Sequence, residues 1–245
     1  MKIGILVTGH VSSDLVDEFG EYPAMFADLF RRIDPSLTFQ DWSVVDGEFP
    51  DDPSACDAWL LTGSKHGVYD PEPWIEPLKD FLLAAREVRI PMIGICFGHQ
   101  IMAEAFGGRA EKSSRGWGVG VHEYAITERP GWLRPDSSDF GMYAMHQDQV
   151  TQLPPDGVVL ASSAFCPIAM ASYGDPEAPD AISIQPHPEF FHDYALALIN
   201  LRDDLVGVER AAEARKGIAN PVASDDFVRW TLSYLDTVST QRRAA

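Results

Sequence analysis

A cysteine between two glycines carries the clearest chemical signal in this sequence. Cys96 stands in the segment Gly-Ile-Cys-Phe-Gly, residues 94–98. The apolar run at residues 90–95 predicts a buried strand before it, and apolar residues at helical spacing predict a helix after it: Ile101, Met102, Ala105 and Phe106. Such a strand-to-helix turn lifts a nucleophile above the sheet edge. The helix N-terminus favours thiolate over thiol and leaves backbone N–H groups free for an oxyanion.

A cysteine nucleophile needs a base, and the base needs a group that fixes its tautomer. His187 and Glu189 supply both types, two residues apart. In an extended segment, residues i and i+2 project to the same side, and the flanking prolines at 186 and 188 limit helix formation. Gly63 follows another predicted strand and could offer an unhindered backbone N–H at the same sheet edge. The candidate catalytic residues are therefore Cys96, His187 and Glu189.

The order of elements up to residue 107 predicts the fold that positions these groups. It reads strand, helix, strand, strand, helix, strand, helix. The clearest turns fall at one edge, which predicts an α/β fold with a doubly wound, mostly parallel sheet. The predicted segments, in chain order, are 2–8, 22–33, 37–45, 58–62, 73–88, 90–95 and the helix after Cys96.

The pattern changes after residue 108. Short predicted strands, separated by Gly, Pro and Asp turns, indicate a small and partly antiparallel β section: 109–112, 118–127, 142–145, 158–163, 168–173 and 181–185. Helices broken near Gly207, Gly217 and residues 220–221 follow, and their composition suggests a cap or an interface. We expect one domain over residues 1–190 and a C-terminal helical extension over residues 191–245 packed on it.

The composition argues against some classes of binding partner and indicates where in the cell the protein is located. The 245 residues carry a net charge of −18, which argues against nucleic acid and anionic membranes as partners. Three cysteines without a C-x-x-C pair, and histidines without ligand spacing, argue against disulfides, a metal site and a cofactor. Neither a signal-peptide pattern nor an apolar run of about 18 residues occurs. We expect a soluble, cytoplasmic protein.

Several motifs together resemble those of the class I glutamine amidotransferases. They are Gly-Ile-Cys-Phe-Gly-His-Gln at 94–100 and His-Pro-Glu at 187–189, with Thr-Gly-Ser at 62–64, Val-Tyr-Asp at 68–70, Gly-Trp-Gly-Val-Gly at 116–120 and His-Gln-Asp-Gln-Val at 146–150. The resemblance covers roughly residues 1–190 and implies a flavodoxin-like sheet with a Cys-His-Glu triad. The intermediate motifs look most like stand-alone members related to the glutaminase domain of GMP synthetase.

The resemblance implies a role for each matching residue. Cys96 would form a γ-glutamyl thioester, His187 would shuttle the proton, and Glu189 would orient His187. The backbone N–H groups of Gly63 and Phe97 would form the oxyanion hole. Contacts to the glutamate end of a small γ-glutamyl substrate are expected from Gln100, Trp117, Gly118, Val119 and the segment His146 to Asp148.

Four functions stay open at this stage. The chain could hydrolyse a γ-glutamyl peptide or conjugate, or deliver ammonia from glutamine to a separate synthetase, because it contains no phosphate-binding loop of its own. It could also be a non-catalytic member of the fold or a different acyl hydrolase. The sequence departs from the family pattern at Pro186 and in the loop Gly63-Ser64-Lys65-His66. Lys65 and His66 could therefore bind a different acyl or amine group. A homodimer contact by the C-terminal helices also stays open.

Overall fold

The computed structural model describes residues 1–134 and 137–244, with side chains up to residue 241. The strands are β1 (Lys2–Leu6), β2 (Thr38–Trp42), β3 (Ala58–Leu61), β4 (Met92–Ile95), β5 (Arg109–Lys112), β6 (Gly118–Ile126), β7 (Asp139–His146), β8 (Asp148–Gln152), β9 (Gly157–Ser162), β10 (Met170–Tyr173) and β11 (Ala181–Ile184). The helices are α1 (Val16–Phe19), α2 (Tyr22–Arg31), α3 (Ile75–Glu87), α4 (Phe97–Ala105), α5 (His192–Leu201), α6 (Asp203–Val206), α7 (Val208–Lys216) and α8 (Ser224–Ala244), with a 3-10 turn at Val44–Asp46.

Five parallel strands form one half of the main sheet. Their order is β2-β1-β3-β4-β11, with parallel pairing at every step. This is the strand order of a flavodoxin-like sheet, 2-1-3-4-5, with β11 as the fifth strand. The predicted α/β class and the doubly wound, mostly parallel sheet are confirmed. The second strand lies at the sheet edge, and its residues are half-buried or exposed.

The rest of the main sheet is antiparallel. It continues from β11 through β10, β9, β6 and β7, and a separate two-stranded ribbon pairs β5 with β8. The predicted antiparallel section is therefore confirmed. The strand β8 was not predicted from the sequence, although its residues belong to the His-Gln-Asp-Gln-Val motif.

Two apolar clusters cover the two faces of the sheet. Side chains alternate along each strand, so Ile3 and Ile5 of β1 face one cluster and Leu6 faces the other. The α2 residues Phe26 and Phe30 are fully buried on the first face. Helices α3 and α4 cover the second face. Burial on both faces explains why the central strands are apolar throughout.

The C-terminal helices pack on the sheet and on α2. Arg32, directly after α2, pairs with Asp225 of α8 at 2.9 Å, and the Tyr234 hydroxyl donates to the Asp180 carbonyl at 3.0 Å. Ala214 of α7 contacts the backbone of Gly120 in β6. The domain boundary expected at residue 190 stays a prediction. None of the helices in the described part of the chain is long and apolar enough to cross a membrane.

Candidate active site

The turn between β4 and α4 places Cys96 at the carboxyl end of the parallel sheet. Its backbone has φ 53° and ψ −100°, in the region that residues with a side chain rarely adopt. Gly98 permits the close approach to the neighbouring strand, because a Cβ there would lie 2.7 Å from the Leu61 Cβ. Gly94 is equally constrained, since its Cβ would lie 2.6 Å from the Gly98 carbonyl oxygen. The two glycines therefore hold the turn that presents Cys96.

His187 and Glu189 follow β11 and reach the same edge. The Nδ1–H of His187 donates to Oε1 of Glu189 at 2.7 Å, because the carboxylate can only accept. The His187 backbone N–H donates to the Tyr143 carbonyl at 2.8 Å, which ties the segment to β7. Both side chains are almost fully buried, and so is Cys96. The expected contact between residues i and i+2 is present.

Gly63 lies between the cysteine and the histidine. A Cβ at Gly63 would lie 2.9 Å from Cε1 of His187 and 3.6 Å from Cβ of Cys96. Only a glycine fits there without displacing the imidazole. The carbonyl of Gly63 accepts a hydrogen bond from the Thr8 hydroxyl at 3.1 Å, which fixes the loop to the end of β1. The structure thus brings Gly63, Cys96 and His187 together.

Electrostatics favour a protonated imidazole beside the thiol. Burial by itself lowers the pKa of His187, but the Glu189 carboxylate and an ionised Cys96 raise it to about 10. An imidazolium facing a thiolate is the arrangement of an activated cysteine. The site can therefore hold the charge state that nucleophilic attack requires.

Two backbone amides beside Cys96 are unused. Within the described residues, no hydrogen bond uses the N–H of Gly63 or the N–H of Phe97. The neighbouring amides are engaged, since Cys96 donates to Ile184 at 2.9 Å and Gly98 donates to Thr62 at 3.2 Å. Phe97 is the first residue of α4, where the helix dipole adds positive potential. Free donors at this position can stabilise a developing oxyanion.

Two cavities open beside these groups. The first, here called the Cys96 cavity, has a volume of about 480 Å³, and its lining includes Cys96, Gln100, Trp117 and His146. The second, here called the His187 cavity, has a volume of about 570 Å³, and its lining includes Gly63 and His187. Gly118 and Val119 line neither cavity and are buried at the start of β6. Their assignment as substrate contacts stays a prediction.

Gln100 and His146 have fixed hydrogen-bonding roles. The Nε2 of Gln100 donates to the Asp148 carbonyl at 3.1 Å and to Oε1 of Gln185 at 3.2 Å. Burial lowers the pKa of His146 to about 3, so its ring is neutral. Its Nδ1–H donates to the Asp148 carbonyl at 3.1 Å, and its buried Nε2 has no partner in residues 1–134 and 137–241. This acceptor nitrogen faces Gly118, since a Cβ there would lie 3.2 Å from it.

The sequence profile of the family described as glutamine amidotransferase class-I matches residues 28–197. This match spans more than half of the chain. The chain belongs to the class-I glutamine amidotransferase family. The resemblance seen in the sequence motifs is confirmed.

Relatives of this amidotransferase chain carry two kinds of name. Gamma-glutamyl peptidase 3 of Arabidopsis thaliana is 30% identical over 225 residues, which are 88% of this chain and 83% of that protein. One component of the GMP synthase (glutamine-hydrolyzing) of Methanothrix thermoacetophila is 39% identical over 107 residues, which are 44% of this chain and 57% of that protein. The crystal structure of a glutamine amidotransferase from Thermotoga maritima has a TM-score of 0.74 at 19% identity and covers 95% of this chain and 96% of that one. That likeness confirms the fold.

Two residues at the candidate site, Phe190 and Arg202, were not predicted from the sequence. The ring of Phe190 stacks on the His187 imidazole, with centroids 4.0 Å apart and planes 10° apart. Arg202 lines both cavities from the junction of α5 and α6, beyond the end of the family match. The position of Phe190 beside the His-Pro-Glu motif was the available signal for the first. Nothing in the local pattern of α5 distinguishes Arg202 from a surface arginine.

Three residues that the sequence left without a chemical role have structural surroundings: His99, Cys56 and Cys166. His99 is fully buried, with Nδ1 2.6 Å from the Ser183 hydroxyl and Nε2 3.1 Å from the Ile168 carbonyl oxygen. Cys56 and Cys166 are buried thiols outside both cavities. In the part of the chain that the structure describes, no cluster of three or more His, Cys, Asp or Glu side chains could hold a metal ion.

Proposed function

We propose that this chain hydrolyses γ-glutamyl amides through a γ-glutamyl thioester on Cys96. One observation carries the proposal: His187 is hydrogen-bonded to Glu189 and shares with Cys96 a site that has two unused backbone amides. A nucleophile, a tautomer-fixed base and an oxyanion site are the three parts that acyl transfer requires. The similarity to gamma-glutamyl peptidases and to a component of a GMP synthase supports the γ-glutamyl group as the acyl part.

The chemical steps follow from the charge state of the site. The Cys96 thiolate attacks the γ-carbonyl carbon, and the amides of Gly63 and Phe97 bind the oxygen as it becomes negative. The His187 imidazolium then protonates the leaving nitrogen, and the C–N bond breaks to leave the thioester. Water attacks the thioester, His187 removes its proton, and glutamate leaves as the thiolate re-forms. Glu189 keeps the Nε2 of His187 directed to these transfers.

The substrate would enter with its glutamate end in the Cys96 cavity. Gln100, Trp117 and His146 line that cavity, and Gly118 and Val119 are the buried residues that follow Trp117 in the chain. The Oε1 of Gln100 can only accept hydrogen bonds, which suits the α-ammonium group of a γ-glutamyl substrate. These contacts are part of the proposal.

Glutamate release by the purified chain tests the proposal. We expect turnover of glutamine or of a γ-glutamyl peptide, and loss of at least about 1,000-fold in kcat for Cys96→Ser. Cys166→Ser serves as the matched control, because that thiol is buried outside both cavities. Mass spectrometry of rapidly quenched protein should find one γ-glutamyl group on Cys96. Unchanged turnover in Cys96→Ser would exclude the mechanism.

A second function is supported by one specific relative. The similarity to the GMP synthase component favours a role in which this chain passes ammonia to a separate synthetase. In that role, glutamate release from glutamine should depend on adding the synthetase. Full activity of the isolated chain on γ-glutamyl peptides would instead favour the hydrolase. Absence of Cys96 acylation with every γ-glutamyl compound would indicate the non-catalytic alternative.

A further inference from the structure

The reacting groups divide the site into two sides. The Cys96 cavity and the His187 cavity meet at residues that line both: Ser64, Lys65, His66, Met145 and Arg202. In the proposed function, the acyl group stays on Cys96 while the leaving nitrogen takes its proton from His187. Whatever is attached to that nitrogen must then project to the His187 side. The His187 cavity is therefore placed to receive the leaving amine.

The size of this cavity exceeds what ammonia needs. Its volume is about 570 Å³, whereas a small molecule such as water takes up about 30 Å³ of liquid volume. Cavities of roughly 300–1,000 Å³ hold organic ligands. A leaving group the size of an amino acid or a short peptide fits the His187 cavity, and ammonia alone would leave it nearly empty.

The charges of the cavity indicate what the amine carries. Of its two carboxylates, Asp46 pairs with His10 at 2.9 Å, whereas Asp14 accepts from the Ser12 hydroxyl at 3.2 Å and keeps its negative charge. Arg202 and Lys65 have neither an ion pair nor a side-chain hydrogen bond in the described side chains. Two unpartnered cations in a chain of net charge −18 are suited to an anionic ligand.

Arg202 is the better placed of the two cations. It is half-buried, whereas Lys65 is exposed. The backbone at Arg202 is fixed, because its N–H donates to the Leu198 carbonyl and its own carbonyl accepts from Leu205 and Val206. A guanidinium offers a planar fork of donors that matches the two oxygens of a carboxylate.

We propose that the His187 cavity is the subsite for the leaving amine and that Arg202, assisted by Lys65, binds a carboxylate on that amine. This inference rests on the proposed function and names its substrate class: a γ-glutamyl amino acid or γ-glutamyl peptide in preference to glutamine. Arg202 lies beyond residue 197, where the family match ends. The C-terminal helices thus contribute a specificity residue to the site.

A pair of matched substrates tests the role of Arg202. γ-Glutamyl-glycine and γ-glutamyl-glycinamide differ only in whether the leaving amine carries a carboxylate. We expect the full chain to favour γ-glutamyl-glycine in kcat/KM by about 10- to 100-fold, and Arg202→Gln to remove that preference. Arg202→Lys should keep part of it. The ratio of the two substrates within one variant does not depend on the fraction of folded protein.

The control is Arg210→Gln, the same charge change at an exposed arginine outside both cavities. It should leave the substrate ratio unchanged. Equal kcat/KM for the two substrates in the unaltered chain would overturn the inference. So would an equal loss on both substrates and on glutamine in Arg202→Gln, since Arg202 would then bind the glutamyl part. In either case the proposed function would stand. Turnover of none of the three would overturn both.

Discussion

The protonation of His187 is the central quantity at the scale of single residues. Its pKa is lowered by burial but raised to about 10 by its interactions with Glu189 and Cys96. The imidazolium therefore persists through neutral pH, and it is the form that can protonate a leaving amine. Glu189 has two separable effects, because it fixes the tautomer through the 2.7 Å hydrogen bond and supplies the charge that holds the proton.

Replacing the Glu189 carboxylate by an amide separates its effect on the His187 tautomer from its effect on the His187 charge. In Glu189→Gln we expect kcat to fall by about 100- to 10,000-fold. The pKa of His187 falls with the lost negative charge, so the alkaline limb of the kcat/KM profile moves to lower pH. Glu209→Gln, an exposed glutamate on α7, is the control. An alkaline limb that stays in place would show that Glu189 does not set this protonation.

The stacking of Phe190 on His187 predicts a positioning effect. The ring planes lie 10° apart, so the aromatic face limits tilting of the imidazole. We expect Phe190→Leu to lower kcat by roughly 10- to 100-fold, because small misplacements of a reacting group are costly. The KM should change little.

Phe191→Leu is the matched control, since that neighbouring ring is 42% exposed and does not stack on His187. It should leave kcat unchanged. A rise in KM with unaltered kcat in Phe190→Leu would mean that Phe190 contacts substrate and does not position the base.

At the scale of elements, the β4–α4 turn depends on close backbone packing. A Cβ at Gly98 would meet the Leu61 backbone as well as its side chain, and backbone atoms cannot move aside cheaply. We expect Gly98→Ala to lower the free energy of unfolding by about 1–3 kcal/mol. Gly217→Ala is the control, because the nearest atom there is a side-chain amide at 3.3 Å. Urea unfolding measures the stability of the two variants. Equal unfolding midpoints for Gly98→Ala and Gly217→Ala would contradict the prediction.

Elements that are encoded by a pattern of neighbouring residues could be predicted from the sequence. The strand before Cys96, the helix after it and the glycines beside it form one continuous pattern, and the turn has the expected form. The contact of His187 with Glu189 followed from spacing alone. The parallel half of the sheet followed from the alternation of strand and helix.

Elements that depend on distant contacts could not be predicted. In β8 only two of five residues are buried, so the strand has no distinct alternation. Arg202 reaches the cavities only because α5 packs near the carboxyl end of the sheet. Phe190 stacks on His187 because the segment after β11 turns back on itself. Each depends on tertiary packing that the local pattern does not contain.

At the scale of the whole molecule, buried neutral histidines couple stability to pH. Burial lowers the pKa of His99 to about 4 and that of His146 to about 3, from an ordinary value of 6.5. The unfolded chain therefore takes up these protons first as pH falls. The stability that depends on the neutral rings is complete above about pH 6.5 and is lost progressively towards pH 4 and below. The loss reaches up to about 3 kcal/mol for His99 and up to about 5 kcal/mol for His146.

His99 allows this coupling to be measured. Its Nε2–H donates to the Ile168 carbonyl and its Nδ1 accepts from Ser183, so a second proton would break the bond to Ser183 or force its hydroxyl to turn away. We expect His99→Asn to be less stable at neutral pH but to lose about 2–3 kcal/mol less on acidification to about pH 4.5. Urea unfolding at both pH values measures the difference. His192→Asn, at an exposed histidine paired with Asp193, should keep the acid loss of the unaltered chain. If all three proteins lose the same free energy on acidification, the buried ring at position 99 does not couple proton uptake to unfolding.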